Sequence, residues 1–331
     1  MRILIVGLGS IGLRHLANLR VIEPAAHVTI CDPRLKAQDA AEASSLADCI
    51  VYRLEDAFDA KPEVALITCP ASLHIETGLA LARQGVHLFI EKPLSNTLNG
   101  VDELSNFCRQ HSLILMVGYN FRFYQPLLSV RQALREGKIG RVLAVRAEVG
   151  QFLPDWRPGR DYRQTVSARD HLGGGAVLEL SHEIDYVRWL VGEVKTVSAQ
   201  VARVSDLEID VEDTAEIILQ FHNGAIGSIH LDMIQQPATR TCRIVGTKGT
   251  IEWDGFTNSV RVIEARERGW SYLHPPGNLS HQDMYLAEMS HFLECVRGNG
   301  PPLVNGGDGK RVLEIALAVK ESSVTHRVIE L

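Results

Sequence analysis

Short runs of consecutive apolar residues, each followed by a stretch with helical spacing, fill the first 120 residues. Residues 2–6, 27–31, 49–52, 63–68, 86–90 and 113–117 are such runs. Unbroken apolarity over so few residues predicts strands covered on both faces. Between them, 11–21, 36–46, 72–84 and 97–110 space their apolar residues as helices do. The join between the third and fourth strands leaves room for only a turn or two of helix, around Leu54–Asp59. Strands alternating with crossover helices predict a parallel, doubly wound α/β sheet whose ligand crevice opens at the carboxyl ends of the strands.

Past residue 120 the pattern changes. A helix over Gln125–Glu136 leads to Val142–Val149, whose alternation predicts a half-buried strand. A loop rich in arginine and aromatic residues follows, then Gly173-Gly174-Gly175 and a helix to about Leu190. From Val194 onward strands follow one another, and Asn223-Gly224 between 214–221 and 225–233 is a strong hairpin signal. Further strands are expected at 239–246, 249–253 and 259–264, and two helices at 282–297 and 308–321. This half reads as α+β with a large, mainly antiparallel sheet. The domains expected are therefore 1–120 and 121–331.

Composition narrows the function. A chain of 331 residues is long for one core. With 45% hydrophobic and 22% charged residues it has the balance of a soluble globular enzyme. A net charge of −6 argues against nucleic acid or an anionic membrane as partner. No apolar run approaches the roughly 20 residues of a membrane span. The six cysteines have no paired spacing, which fits reduced thiols and a cytoplasmic location.

The first strand breaks into Gly7-Leu8-Gly9-Ser10-Ile11-Gly12. In such a turn Gly7 permits the tight reversal, Gly9 admits a pyrophosphate to the backbone, and Gly12 lets helix pack on strand. The free N–H groups at Ser10 and Ile11 would face the phosphates. The second strand ends at Asp32, twenty residues after Gly12, where a carboxylate accepts ribose hydroxyls. Strand, glycines, helix and acid together point to a dinucleotide; the glycines alone would fit a turn in some other α/β protein. Asp32 favours NAD, since a 2′-phosphate would meet its charge. Arg34, two residues on, keeps NADP as the alternative.

With the expected strand order, the nicotinamide end of a dinucleotide reaches the tips of strands 4 and 5. Cys69-Pro70 and His74 stand at or just beyond the first tip, and Glu91-Lys92-Pro93 at the second. An ammonium beside a cationic nicotinamide has its pKa lowered, so Lys92 is a candidate acid/base; otherwise it is a surface lysine at a strand end. Glu179, His182 and Asp185 are three apart and would share one face of a continuous helix. His182 there suits proton transfer, a satisfied half-buried histidine being the alternative. The same spacing would admit a metal, but no further His or Cys supports one, so no metal is expected. The loop holding Trp156, Arg157, Tyr162 and Arg163 suits an anionic sugar as well as it suits a solvated loop or subunit contact.

In these residues the chain resembles the Gfo/Idh/MocA family of NAD(P)-dependent sugar oxidoreductases over essentially its whole length. The features that carry the likeness are Gly7–Gly12, Glu91-Lys92-Pro93, Gly118-Tyr119-Asn120-Phe121-Arg122, and the glycine triplet followed by His182-Glu183-Ile184-Asp185. The resemblance implies that Lys92 and His182 are the catalytic pair, with Asp185 near substrate or supporting the histidine. It implies that Pro70, His74, Glu91 and Asn120 shape the nicotinamide side, and it places Arg122 and Glu179 with the substrate. Where the family commonly has Thr-Pro-Asn, this chain has Cys69-Pro70-Ala71. The Leu-Ser-His-Glu-Ile-Asp-Tyr form is similar to a subgroup from bacterial surface-polysaccharide gene sets. The family also implies a homodimer or homotetramer through the open face of the second sheet.

The activity expected is hydride transfer between a nicotinamide cofactor and a hydroxyl or keto group of a sugar, sugar acid or nucleotide sugar. Two alternatives stand beside it. One is transient oxidation serving an epimerase, lyase or glycosidase; the other is a cofactor-binding regulator without catalysis.

Overall fold

The protein is described here by a computed structural model covering residues 1–35 and 43–331. The helix expected over 36–46 falls largely on residues 36–42, outside the described residues. The chain divides into two compact units, Met1–Asn120 with Gln282–Arg311, and Phe121–His281 with Val312–Leu331.

The first unit is built on a parallel sheet of β1 (Arg2–Val6), β2 (His27–Cys31), β3 (Cys49–Val51), β4 (Val64–Ile67), β5 (His87–Glu91) and β6 (Leu115–Gly118), in the order β3-β2-β1-β4-β5-β6. Ile3, Leu4, Ile5, Val28, Ile30 and all of β4 are buried, as a strand covered on both faces requires. Helices α1 (Ser10–Ile22), α2 (Leu54–Phe58), α3 (His74–Ala82) and α4 (Val101–Gln110) follow β1, β3, β4 and β5. The expected division at residue 120 needs one correction. Helix α8 (His281–Val296) and the stretch after it return to this unit, because Phe292 packs on Phe89 with ring centroids 5.5 Å apart and Val117 N–H bonds the Val304 carbonyl at 3.0 Å.

The second unit carries a sheet of nine strands: β7 (Val142–Gly150), β8 (Val194–Ala202), β9 (Thr214–Phe221), β10 (Ile226–Asp232), β11 (Thr239–Gly246), β12 (Gly249–Asp254), β13 (Ser259–Glu264), β14 (Ser271–His274) and β15 (Ile329–Glu330). Only the β7–β10 pair is parallel. One face is core: Val145, Ala147, Ile217, Leu219, Ile229, Cys242, Ile244, Ile251 and Trp253 are all buried. Helices α5 (Gln125–Arg135), α6 (Ala176–Glu179) and α7 (His182–Val191) lie against it, α5 on β12 to β14 and α7 on β7. Helix α9 (Gly306–Thr325) begins in the first unit and ends in the second.

The other face of that sheet is polar. Register places Ser228, Arg146, Arg243, Glu252 and Arg261 side by side across five strands, and Glu216, His230, Glu148 and Thr241 in the adjacent row. Residues of both rows line a cavity of about 660 Å³. The strands at 271–274 and 329–330 were not expected from the sequence. The helix expected to run unbroken to Leu190 is interrupted at Leu180-Ser181, between α6 and α7.

Candidate active site

The turn after β1 makes an open cradle. Gly7 has φ +94°, and a Cβ there would lie 2.6 Å from the Cys69 nitrogen, so only glycine fits. A Cβ on Gly12 would strike the Gly7 carbonyl, whereas one on Gly9 would meet nothing within 4 Å. Gly9 and Ser10 are exposed at the start of α1, where unpaired helical N–H groups attract anions. Asp32 closes the cradle at the end of β2: its Oδ2 accepts the Leu8 N–H at 2.7 Å and its Oδ1 the Arg34 N–H at 2.8 Å. The backbone of the glycine turn thus holds the carboxylate beside itself.

Lys92 stands half-buried directly after β5, and the turn that carries it is braced from two sides. Glu91 Oε2 accepts the Lys92 N–H at 3.1 Å, while Oε1 lies 2.6 Å from His15 Nε2. On the other side, His74 is expected among the nicotinamide contacts but is buried, with both ring nitrogens against carbonyls: Nδ1 at 3.0 Å from Pro93 O and Nε2 at 2.8 Å from Cys69 O. Its ring ties the tips of β4 and β5 together. Burial pushes its pKa down, although the two carbonyls pull the other way. Burial also pushes the Cys69 thiol up to about 12, so Cys69 is a protonated neighbour and no nucleophile. Asn120 Oδ1 is buried and has no hydrogen-bond partner among the described residues, as a group reserved for a ligand amide would be. Open glycine backbone, a placed carboxylate and an orphaned amide oxygen fit a nicotinamide dinucleotide.

In the second unit, His182 is the first residue of α7, half-buried, with its ring edge-on to Phe121 at 4.9 Å. The Arg240 guanidinium lies 4.7 Å over the Phe121 ring and pairs with buried Glu183, Nε to Oε1 at 2.8 Å. The break at Leu180-Ser181 leaves Glu179 at the end of α6, while His182 and Asp185 lie one turn apart on α7. Glu179 instead accepts the Ser167 hydroxyl at 3.0 Å. Asp185 is fully buried and takes Arg122 Nε and Nη2 at 2.6 to 3.1 Å. Arg122 is expected with the substrate, and Asp185 near it or supporting the histidine; here the two form an ion pair with side-chain exposures of 3% and 0%, which ties the start of α7 to the Asn120–Phe123 turn.

The loop after β7 is similarly self-engaged. Arg163 pairs with Asp161 at 2.9 Å and Glu208 at 3.1 Å. Tyr162 Oη accepts the Glu208 N–H, and Trp156 Nε1 donates to the Gln151 carbonyl. Arg157 has no carboxylate partner among the described residues and shares a small cleft with Trp156 and Tyr162. Sequence reasoning missed His15 and Tyr285, whose ring lies edge-on to His15 at 6.2 Å, although a histidine beside Leu16 on the buried face of α1 was a visible signal. Among the described residues no cluster of His, Cys, Asp or Glu is arranged to hold a metal, and no helix is long and apolar enough to cross a membrane.

Known proteins resemble this chain along its whole length. A myo-inositol 2-dehydrogenase of Thermotoga maritima is 31% identical to this chain, covering 100% of it and 98% of that protein. A 2,7-anhydro-N-acetylneuraminate hydratase of Mediterraneibacter gnavus is 27% identical over 76% of this chain and 66% of its own. The crystal structure of the WlbA dehydrogenase from Bordetella pertussis, in complex with NADH and UDP-GlcNAcA, matches with a TM-score of 0.84 and 26% identity, covering 100% of this chain and 98% of that one. Residues 1–119 match the oxidoreductase family's NAD-binding Rossmann fold, and residues 131–331 match its C-terminal alpha/beta domain. With both halves matched in order, the chain belongs to the Gfo/Idh/MocA family of oxidoreductases, and its residues 1–119 are the family's NAD-binding domain.

Proposed function

We propose that the protein is an NAD-dependent dehydrogenase or reductase acting on a secondary alcohol or ketone of a sugar, cyclitol or nucleotide sugar, with Lys92 and His182 as its acid/base pair. The observation that carries this reading is the double bracing of the Lys92 turn at the carboxyl edge of the parallel sheet, where such folds bind ligands. A bound nicotinamide supplies the hydride acceptor. Lys92 Nζ takes the hydroxyl proton as the carbinol becomes a carbonyl, and His182 passes it on toward solvent. In the reducing direction the same two groups return a proton to the new alkoxide. Arg122 and Asp185 hold α7, and hence His182, in place.

The substrate class draws support from the inositol and nucleotide-sugar relatives, and Trp156 and Tyr162 suit a sugar face. Arg157 would supply the charge for an acidic sugar, as in surface-polysaccharide synthesis. The test is a screen of inositols, sugars, sugar acids and nucleotide sugars with NAD and with NADP, following reduced cofactor. Lys92→Ala and His182→Ala should lose turnover by roughly 10²- to 10⁴-fold while keeping NAD affinity. Undiminished turnover in either variant overturns the pair.

A second reading, oxidation that is reversed within one turnover, is compatible with a relative named for a hydration, a reaction without net redox change. It requires product without net reduced cofactor, so the same screen, read for both, separates the two.

The protein is also proposed to be a cytoplasmic homo-oligomer. All six cysteines are free, four of them buried. On the polar sheet face Arg243 pairs with Glu252, and Arg146, opposite it, is a place for a carboxylate of a second copy. Ile218 and Ile226 stand 53% and 58% exposed on the same face. Light scattering should give a dimer or tetramer, and Ile226→Glu should reduce its mass; a monomeric wild type sinks the idea.

A further inference from the structure

The cofactor helix and the Lys92 turn are joined by a buried side-chain link that neither the glycine motif nor the Glu-Lys-Pro motif describes. We propose that His15 is a positioning residue for Lys92, acting through Glu91; this rests on the reading that Lys92 is the acid/base group.

His15 lies on α1 three residues beyond Gly12, and its side chain is completely buried. Its Nε2 is 2.6 Å from Glu91 Oε1, and Glu91 Oε2 accepts the Lys92 backbone N–H at 3.1 Å. One carboxylate therefore bridges the helix that receives the phosphates and the residue that carries the base. His15 Nδ1 has no hydrogen-bond partner among the described residues. That assigns the proton to Nε2, because a buried N–H without an acceptor costs more than an idle lone pair. The ring stands edge-on to Phe89 at 5.3 Å and to Tyr285 at 6.2 Å, which fixes its orientation. Glu91, 7% exposed, has little water to replace a lost partner. Without His15 the carboxylate would turn toward solvent and release the Lys92 amide, and the ammonium would lose its fixed origin.

Two substitutions separate this role from simple core filling. His15→Phe keeps the aromatic packing and removes the hydrogen bond. His15→Gln removes the ring and keeps an N–H donor of similar reach. Amide exchange of Lys92, measured on protein without cofactor, should quicken by about tenfold or more in His15→Phe as its acceptor is released. The kcat of that variant should fall by about 10²-fold, the scale of a misplacement near 1 Å, with KM and NADH affinity changed by less than about threefold. His15→Gln should regain most of both losses. Should His15→Phe fail to fold, Glu91→Gln offers one oxygen to two donors and should show the same faster exchange and lower kcat. The proposal is overturned if His15→Phe, or Glu91→Gln in its place, keeps wild-type exchange and kcat, or if His15→Gln is the more damaged of the two His15 variants. Exchange decides the point even if no sugar proves to be a substrate, so its failure is distinguishable from failure of the dehydrogenase reading.

Discussion

Arg122 grips Asp185 with its Nε and Nη2 while both side chains are almost wholly out of solvent. A buried pair of this kind is strongly destabilising when only one member is removed, because the other charge is stranded. Asp185→Leu should therefore cost about 3–5 kcal/mol in denaturant unfolding. The double variant Arg122→Met/Asp185→Leu should recover much of that loss. Equal stability of wild type and Asp185→Leu would show that the pair does not anchor α7.

The glycines of the first turn should separate folding from cofactor binding. A side chain on Gly9 meets nothing in the protein, so Gly9→Val should leave the melting temperature nearly unchanged. It should raise the Kd for NADH by about tenfold or more, because the side chain occupies the approach to the pyrophosphate. Gly12→Ala, driven against the Gly7 carbonyl and 3.0 Å from Thr68 Oγ1, should instead lower stability. Calorimetric titration alongside thermal melts checks both outcomes.

Cofactor choice should turn on Asp32. Its oxygens are anchored by Leu8 and Arg34 N–H groups, so the carboxylate cannot easily swing away from a 2′-phosphate. Asp32→Ser should weaken NADH binding by about 10- to 100-fold, the value of a charged hydrogen bond, and improve NADPH binding. A variant that still prefers NADH as strongly as wild type would remove Asp32 from the recognition.

His230 makes stability depend on pH. Its Nε2 donates to Asp232 at 2.9 Å and its Nδ1 to Glu216 at 2.7 Å, and these carboxylates, Asp232 foremost, raise its pKa from 6.5 to about 9. A group whose folded pKa is raised stabilises fully below its unfolded value and loses that contribution as pH climbs through the folded one. Burial alone would lift Asp232, but bonds from His230, Ile234 and Gln235 outweigh it and hold its pKa low, so its own contribution fades only in acid. The unfolding midpoint should fall between pH 6.5 and about 9. His230→Gln should flatten that slope; parallel pH curves for the two proteins would contradict the assignment.

Much of this was legible from residue order. Buried parallel strands announce themselves by unbroken apolarity, so β1, β4 and the glycine turn could be read directly. Asn223-Gly224 marked its hairpin because few other residues accept a left-handed turn, and Gly224 does have φ +85°. Strand β14 gave no signal: it lies at the sheet's edge with half its residues exposed, and nothing forces apolar alternation there. The stop at Leu180-Ser181 was hidden because neither residue type breaks a helix. Partnerships were the least visible. Arg122 and Asp185 are 63 residues apart, and only the folded chain shows that they pair with each other.

The nucleotide-binding half of this protein is not a detachable cassette. Phe292 and Val304, supplied from far along the chain, complete the layer behind Phe89 and β6. A transplant or split-protein fusion cut after Asn120 would leave that layer bare and prone to aggregate. A hybrid joined at the apparent midpoint should therefore keep its stability only when residues 282–311 travel with residues 1–120.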